Sequence, residues 1–298
     1  MRVLISGSSG LIGSALVKSL RERGETVVRL VRSEGITNEP HVVWDPQAGK
    51  VDPDDLEGFD AAIHLAGSSV AEGRWTAARK AEIRSSRVLS TLLLCDEFTA
   101  IESPPKVLLC ASAIGYYGDR GEELLVEESG AGRGFLSHLC KCWEGATSPA
   151  IQRGIRVVNL RFGLVLSPNG GALRKMLGPF QMGLGGVLGS GDQYMSWVTI
   201  DDAVGGIEFA FDNEEISGPV NLVSPGAVTN REFTRALAHA LSRPAFFRVP
   251  GRLARIVFGE AADELLLSSA RVCPKRLMEA GFSFSHSELE PALRQMLA

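Results

Sequence analysis

The sequence lacks the features of several protein classes. Its 298 residues carry 31 Lys and Arg against 35 Asp and Glu, so no basic excess favours a nucleic-acid partner. It has no apolar run long enough to cross a bilayer, so we expect no membrane partner. Its N-terminus shows no secretory signal. The five cysteines are odd in number and lack disulfide-framework spacing, which is typical of reduced thiols and predicts a cytoplasmic protein.

A metal site is also disfavoured by the spacing of its potential ligands. His138 and Cys142 are four residues apart and would share one face of a helix, but Cys140 would point elsewhere. No second group of Cys or His completes four ligands. The sequence therefore favours buried structural thiols, and we expect no bound metal.

What the sequence does contain is an alternation of short apolar segments and helical periodicity. Such alternation is typical of a parallel, doubly wound sheet. The fold class that we predict is α/β, with a Rossmann-type domain over residues 1–166. The predicted strands are 2–7, 26–32, 59–67, 106–112 and 155–166, and the predicted helices are 13–24, 74–101 and 134–153.

From Ser167 onwards the sequence is rich in glycine and weakly periodic, which indicates loops that cover a ligand. We predict that 167–298 is mainly a smaller, mostly helical substrate lobe and that about 198–224 returns to the sheet. Within this half, Asp201 and Asp202 are expected to cap the helix that follows them. A further helix should be capped at Thr229 or Asn230.

The clearest functional motif is the glycine turn after the first strand. Gly7, Gly10 and Gly13 are spaced GxxGxxG and stand between a strand and a helix, as a dinucleotide fingerprint requires. Gly7 permits the tight turn, Gly10 lets the backbone approach a pyrophosphate, and Gly13 allows close packing of the helix. The intervening residues of this predicted cofactor site are Ser8, Ser9, Leu11 and Ile12.

The end of the second strand predicts which nicotinamide cofactor is bound. An NAD-preferring site places Asp or Glu there, whereas this sequence has Val31, Arg32 and Ser33. Arg32 can make a charge-assisted contact with a 2′-phosphate, and the nearest acid is Glu34. We therefore predict NADP(H) in preference to NAD(H), with a solvent-facing Arg32 as the alternative.

Other candidate cofactor residues follow along the chain. The segment "HLAG" would run past the adenosine at the carboxyl end of its strand. The cations of "RKAEIRSSR" mostly fit a solvated helix face, with one of them directed at the cofactor phosphates. The residues that we assign to this set are Leu65, Ala66, Gly67, Glu82, Arg87 and Phe162.

Taken together, several motifs resemble a known family. The glycine turn, "HLAG", "CASAIGYYG", "LRFGLVL" and "WVTIDDAV" resemble the extended short-chain dehydrogenase/reductases. "RWTAARKAEIRSSR", "LCKCWE" and "GLGGVLGSGDQYMSWVTIDD" resemble its atypical, epimerase-family branch of nucleoside-diphosphate-sugar epimerase-like proteins. This resemblance implies a short C-terminal domain of unknown function at about 248–296, and a monomer or a homodimer.

The resemblance also implies a catalytic set from which this sequence departs. The wider superfamily uses a Ser or Thr with a Tyr–Lys pair spaced YxxxK, but here Leu136 and Cys140 stand at the Tyr and Lys positions. The remaining candidates for catalysis are Ser112, Tyr116, Tyr117 and Lys141. The alternative for each tyrosine is a purely structural role.

The sequence thus predicts an NADP(H)-binding oxidoreductase or epimerase-like protein with an unknown small-molecule substrate. The alternative is a non-catalytic redox sensor that acts through a protein partner. In the second half, Gln193, Tyr194 and Trp197 are expected near the nicotinamide, whereas Arg161 is expected to form an ion pair or to lie below the cofactor.

Overall fold

The computed structural model describes residues 1–33 and 39–298. The strands in chain order are β1 (Arg2–Ser6), β2 (Thr26–Val31), β3 (His41–Asp45), β4 (Lys50–Val51), β5 (Ala61–His64), β6 (Val107–Ala113), β7 (Leu124–Leu125), β8 (Arg156–Phe162), β9 (Leu164–Leu166), β10 (Gly186–Leu188), β11 (Tyr194–Met195), β12 (Trp197–Thr199), β13 (Gly218–Leu222), β14 (Val228–Thr229), β15 (Phe247–Val249) and β16 (Arg271–Val272).

The helices are numbered in chain order like the strands. They are α1 (Leu11–Glu22), α2 (Ala77–Ala100), α3 (Phe135–Gly145), α4 (Ser148–Gln152), α5 (Gly171–Gln181), α6 (Ile200–Asp212), α7 (Asn230–Ala240), α8 (Gly251–Phe258), α9 (Glu260–Leu265), α10 (Lys275–Glu279) and α11 (Leu289–Leu297).

One large sheet organises the molecule, with strand order β13-β8-β6-β5-β1-β2-β3-β4. Every neighbouring pair is parallel except β3 with β4. The order reverses direction between β1 and β5, which creates the crevice where ligands bind in open α/β sheets. The predicted α/β, doubly wound fold class is therefore confirmed.

The inner strands are buried on both faces, which explains their continuous apolar runs. One predicted strand was wrong in extent, because 155–166 is divided at Gly163 into β8 and β9. A Cβ at Gly163 would lie 2.6 Å from the carbonyl oxygen of Ser196, so the chain passes too close for any side chain. Beyond Gly163 the chain leaves the sheet, and β9 pairs with β12.

A second apolar core lies under the smaller half of the molecule. It joins α5, α7 and α11 around Trp197, whose side chain is fully buried and donates to the carbonyl oxygen of Gly226 at 2.8 Å. Trp197 is thus a core residue, and its expected place beside the nicotinamide was wrong. Phe180 belongs to the same core, whereas Met182 is exposed.

The helix boundaries confirm some predictions and correct others. Thr229 caps α7 with a full capping box. The predicted helix 134–153 is two helices, α3 and α4, and Pro149 stands in the first turn of α4. The N-cap residue of α6 is Thr199, and Asp201 and Asp202 lie in the first turn, so they stand at the start of this helix as expected but not at its N-cap position. Within the described ranges, no helix has the length and apolarity needed to span a bilayer.

Candidate functional site

The glycine turn forms a cradle at the carboxyl end of β1. Gly7 has φ +67°, and a Cβ there would lie 2.6 Å from the backbone of Leu65. A Cβ at Gly13 would lie 2.2 Å from the carbonyl oxygen of Gly7. Neither position can accept a side chain, so the turn and the first turn of α1 are packed as closely as backbone allows.

The first turn of α1 also leaves its backbone N–H groups without a side-chain cap. The N-cap residue is Gly10, which has no side chain to accept a hydrogen bond. Leu11 points away and packs against the backbone at Gly170 and Gly171. Ser9 and Gly10 are exposed. These uncapped N–H groups and the positive end of the helix dipole favour an anion at this position.

A buried polar chain supports the cradle from beneath. The Ser6 hydroxyl lies 2.6 Å from His64 Nδ1, and His64 Nε2 lies 3.1 Å from the Ser90 hydroxyl. The single proton of the Ser90 hydroxyl lies within reach of the carbonyls of Ser86 and Arg87. With that proton on a carbonyl, Ser90 accepts from Nε2 of a neutral imidazole and Nδ1 accepts from Ser6. Burial, with a smaller effect of the Arg87 charge, lowers the pKa of His64 to about 4.

Arg87 is the cation that lies beside the cradle. It donates to the carbonyl oxygens of Ser68 and Ile83, and its guanidinium lies 5.1 Å from the centre of the Trp143 ring. Burial lowers its pKa to about 10. Within residues 1–33 and 39–298, no carboxylate forms an ion pair with it. A half-buried guanidinium with only neutral partners is an unsatisfied positive charge, which suits an anionic ligand.

The segment that follows β5 lies next to the glycine cradle. A Cβ at Gly67 would lie 3.1 Å from Arg87 Cζ, so this position brings the backbone against the guanidinium. Leu65 and Ala66 are half-buried above the sheet. Glu82 is exposed and accepts from Arg79 at 2.7 Å, and that hydrogen bond lowers the pKa of its carboxyl group.

At the end of β2, Val31 is buried and Arg32 and Ser33 are exposed. Arg32 shares a shallow cleft with Trp44, Asp45 and Lys50 from the neighbouring strands. Glu34, the nearest acid in the sequence, lies outside the described residues. Arg32 is thus accessible at the carboxyl edge of the sheet, on the strand next to the cradle.

On the other side of the crevice, Ser112 belongs to a charged cluster. Its hydroxyl donates to Glu144 Oε1 at 2.7 Å. Glu144 also accepts two hydrogen bonds from Arg161, from Nε and from Nη2, each at 2.8 Å. The expected ion pair of Arg161 is therefore confirmed. Ser112 is only 3% exposed and its proton is directed at Glu144, so its hydroxyl belongs to the buried polar cluster around Arg161.

The two adjacent tyrosines differ in burial and in hydrogen bonding. Tyr117 is fully buried, donates to Asn221 Oδ1 at 2.6 Å and accepts from Arg161 at 2.9 Å. Burial raises its pKa to about 12. Tyr116 is half-buried, and the Arg161 guanidinium lies 3.6 Å from its ring centre. Its hydroxyl has no hydrogen-bond partner in the part of the chain that the structure describes.

The positions that usually carry the Tyr–Lys pair lie on α3. Leu136 packs against Gly115, where a Cβ would approach it to 3.2 Å. Cys140 is buried, and burial raises its pKa to about 12. Lys141 is exposed on another face of the helix. The structure therefore keeps Ser112 and Tyr117 buried, leaves Tyr116 half-buried and turns Lys141 to solvent.

The C-terminal segment contacts the start of α3, the helix that carries Glu144. Glu264 accepts from the backbone N–H groups of Phe135 and Leu136, both at 2.7 Å. Gln193 is buried and donates to the carbonyls of Leu188 and Leu266, so it ties the glycine-rich loop to the same segment. Tyr194 is half-buried under Arg271. Phe162 is buried at the end of β8.

Sequence reasoning missed three residues that organise the site: His64, Glu144 and Glu264. A carboxylate next to Trp143 on a helix carries no spacing pattern that links it to Arg161. His64 stands inside "HLAG", where its role depends on Ser6 of another strand. Glu264 acts 129 residues away from Phe135, so only the folded chain reveals it.

Comparisons with known proteins agree with this geometry. Residues 3–223 match the model of the NAD dependent epimerase/dehydratase family, and residues 249–296 match a domain of unknown function, DUF1731. The chain is 45% identical over 291 residues to the epimerase family protein MT2273 of Mycobacterium tuberculosis, covering 98% of this chain and 96% of the relative.

Two solved structures share both fold and sequence with the chain. The crystal structure of human epimerase family protein SDR39U1 (isoform 2) with NADPH superposes with a TM-score of 0.90 at 34% identity, covering 100% of this chain and 99% of the human chain. The nucleoside-diphosphate sugar epimerase from Corynebacterium glutamicum gives a TM-score of 0.82 at 34% identity, and the match covers 100% of this chain and 58% of that longer chain.

Proposed function

This chain belongs to the NAD dependent epimerase/dehydratase family, and on that premise we propose that it is an NADP(H)-dependent oxidoreductase of the atypical short-chain type. The expected resemblance to this family is confirmed by the matches over nearly the whole chain. The proposed substrate is a small molecule with a reducible carbonyl group or alkene. A cytoplasmic location, and a monomer or homodimer, remain predictions.

The observation that carries the proposal is the cradle beside an unsatisfied cation. Gly7 and Gly13 leave no room for a Cβ, and within the described ranges Arg87 donates hydrogen bonds only to carbonyl oxygens. A pyrophosphate placed at the first turn of α1 would accept from the uncapped N–H groups and neutralise Arg87. The residues present therefore fit a dinucleotide.

The proposed preference for NADP(H) rests on Arg32. It is exposed at the end of the strand next to the cradle, where the adenosine ribose of a dinucleotide lies in this fold class. A guanidinium matches the geometry of a phosphate, and it cannot replace the carboxylate that holds a free 2′-hydroxyl. The human relative was solved with NADPH, which supports the same assignment.

A bound NADPH supplies the hydride, and the chain must supply the proton. Tyr116 is the best placed donor, because its half-buried hydroxyl is unpartnered among the described residues and its ring lies on Arg161. Ser112 directs its own proton to Glu144, so in this arrangement it helps to hold that carboxylate beside Arg161 and has no proton to offer a substrate carbonyl.

The experiment that tests this function is a turnover screen. Oxidation of NADPH would be followed by its absorbance against aldehydes, ketones, quinones and nucleotide sugars. We expect turnover with at least one carbonyl or alkene class. Interconversion of a nucleotide sugar without net NADPH consumption would instead assign an epimerase, for which the chain lacks the usual Tyr–Lys pair.

A second candidate function is a non-catalytic redox sensor, and α3 is what favours it. Leu136 and Cys140 occupy the positions of the usual acid and its lysine, and both point into packed surroundings. A sensor would bind NADPH and change its shape or its oligomeric state without turnover. Scattering measurements with and without NADPH, combined with a negative turnover screen, would favour this alternative.

A further inference from the structure

The smaller half of the molecule exposes an unusual number of large apolar side chains on two neighbouring segments. One segment ends at the start of β10, and the other runs from the end of α7 through β15 and α8. The two are adjacent because β10 pairs with β15, with Gly186 opposite Phe247. We call the surface of these two segments the basic apolar surface. Its exposed large apolar side chains are Met182, Leu184, Phe246, Phe247, Leu253, Ile256, Val257 and Phe258.

Helix α8 presents its apolar residues to solvent. Leu253, Ile256 and Val257 are spaced i, i+3 and i+4 and therefore share one face. In this helix Ala254 is buried, whereas Ile256 is 70% exposed, and the preceding Phe246 is 89% exposed. An ordinary helix buries such a stripe, so this face requires a partner surface.

The two segments themselves carry only positive charges, and the nearest acids in the sequence, Asp192, Glu260 and Asp263, follow them. Residues 243–259 contain four arginines and no acidic residue, and 168–191 add Arg174 and Lys175, again without an acid. Arg255 pairs with Asp263 at 2.8 Å, but Arg243, Arg248 and Arg252 form no ion pair within the described part of the chain. This concentration of cations stands out in a protein of net charge -4.

The like charge argues against a second copy of the chain as the occupant. A twofold interface would place the same patch on both partners, so that arginines would face arginines. A partner that is apolar inside and negatively charged at its surface, such as an anionic lipid bilayer, matches both the apolar side chains and the arginines. The apolar side chains would enter the acyl layer of the bilayer, and the arginines would contact its headgroups.

We propose that the basic apolar surface docks on an anionic lipid bilayer, with α8 lying in the plane of the interface. In this arrangement the protein lies on the membrane surface, and no segment has to span the bilayer. Helix α9 follows α8 directly and carries Glu264, and Arg74 donates to the carbonyl oxygen of Ile256. The proposed membrane face is therefore adjacent in the chain to the residue that holds the start of α3.

Vesicle binding of the full-length protein tests this proposal. Sedimentation with vesicles of phosphatidylcholine alone would be compared with vesicles that also contain phosphatidylglycerol. We expect binding to the anionic vesicles only, with a decrease as salt is raised. Ile256→Ser should weaken the partition coefficient about tenfold, and Arg252→Gln about fivefold.

Matched control variants separate the surface from a general effect. Ile151→Ser removes an isoleucine that is 55% exposed on α4, and Arg153→Gln removes an exposed arginine nearby. Both should bind vesicles like the unchanged protein, and all four variants should keep their melting temperature.

Three outcomes would overturn the proposal. Absence of binding to anionic vesicles is one, and equal binding to neutral vesicles is another. The third is self-association in sedimentation velocity that Ile256→Ser abolishes while vesicle binding is absent, which would make the surface an interface between copies.

Discussion

At the scale of single residues, Tyr116 and Tyr117 show how neighbours in sequence acquire different roles. Both lie in the one-turn segment after β6, and the sequence could not rank them. Tyr117 turns into the core, where Asn221 and Arg161 occupy its hydroxyl, and Tyr116 keeps an unpartnered hydroxyl among the described residues. Long-range partners on β8 and β13 make this difference, and no local pattern encodes them.

The first prediction separates these two hydroxyls. Tyr116→Phe should lower kcat by about 10²–10⁴-fold, as expected for loss of a general acid, with unchanged affinity for NADPH. The matched variant Tyr117→Phe should lower the free energy of unfolding by about 1–3 kcal/mol, because it leaves buried polar groups without a partner. Steady-state kinetics and urea denaturation measure the two effects. Full activity of Tyr116→Phe would remove this residue from the chemistry.

The second prediction concerns His64 and pH. Its pKa is lowered to about 4 in the fold, while an unfolded histidine titrates near 6.5. The unfolded chain therefore binds more protons between these values, so the stability is complete above pH 6.5 and is lost as the pH falls towards 4. The expected loss is about 3 kcal/mol.

Urea denaturation at pH 7.5 and at pH 4.5 measures the loss, with His64→Gln as the test variant. Its stability should change less with pH than that of the unchanged protein. His138→Gln, which removes an exposed histidine, should keep the original pH dependence. Identical pH dependence in all three proteins would show that His64 does not titrate as its buried site implies.

At the scale of elements, the strands around the crevice were predicted within a few residues, because doubly buried strands give continuous apolar runs. The strand β3 was missed. It buries only Val42 and Trp44 and lies between Pro40 and Pro46, so its pattern is short and weak. The break at Gly163 was also missed, because it results from a contact with Ser196 that the local sequence does not reveal.

Helix α3 leads to the third prediction. Its N-cap, Gly134, has no side chain to accept from the first turn, and Glu264 takes that role from the C-terminal segment. Glu264→Ala should lower the free energy of unfolding by about 1–2 kcal/mol. Asp263→Asn removes a neighbouring exposed carboxylate and should cost less than about 0.5 kcal/mol. Equal effects in chemical denaturation would refute the capping role.

At the scale of the whole molecule, the C-terminal segment is held to the Rossmann domain by a buried carboxylate. Asp202 accepts from the backbone N–H groups of Ser285 and His286 at 2.8 and 2.9 Å. The sequence placed Asp202 at the start of α6, but its partners are more than 80 residues away. The overall α/β architecture was predictable from local periodicity, whereas the closure of the second half over the first depends on such distant pairs.

The fourth prediction compares two adjacent aspartates. Asp202→Asn should lower the free energy of unfolding by about 1–3 kcal/mol, since it removes the charge that both N–H groups share. Asp201 is exposed in the same turn, so Asp201→Asn should change stability by less than about 0.5 kcal/mol. Differential scanning calorimetry of both variants measures the two losses of stability. A larger loss for Asp201→Asn than for Asp202→Asn would contradict the role of Asp202 in holding the C-terminal segment.

The central claim is that the carboxyl edge of the sheet binds NADP(H), with the pyrophosphate at the glycine cradle and the 2′-phosphate at Arg32. Its most direct test is the pair of dissociation constants for NADPH and NADH, measured by calorimetry on the unchanged protein and on Arg32→Ala. We expect tighter binding of NADPH, and a loss of about 10- to 100-fold for NADPH alone in the variant. Equal or tighter binding of NADH by the unchanged protein would contradict the account.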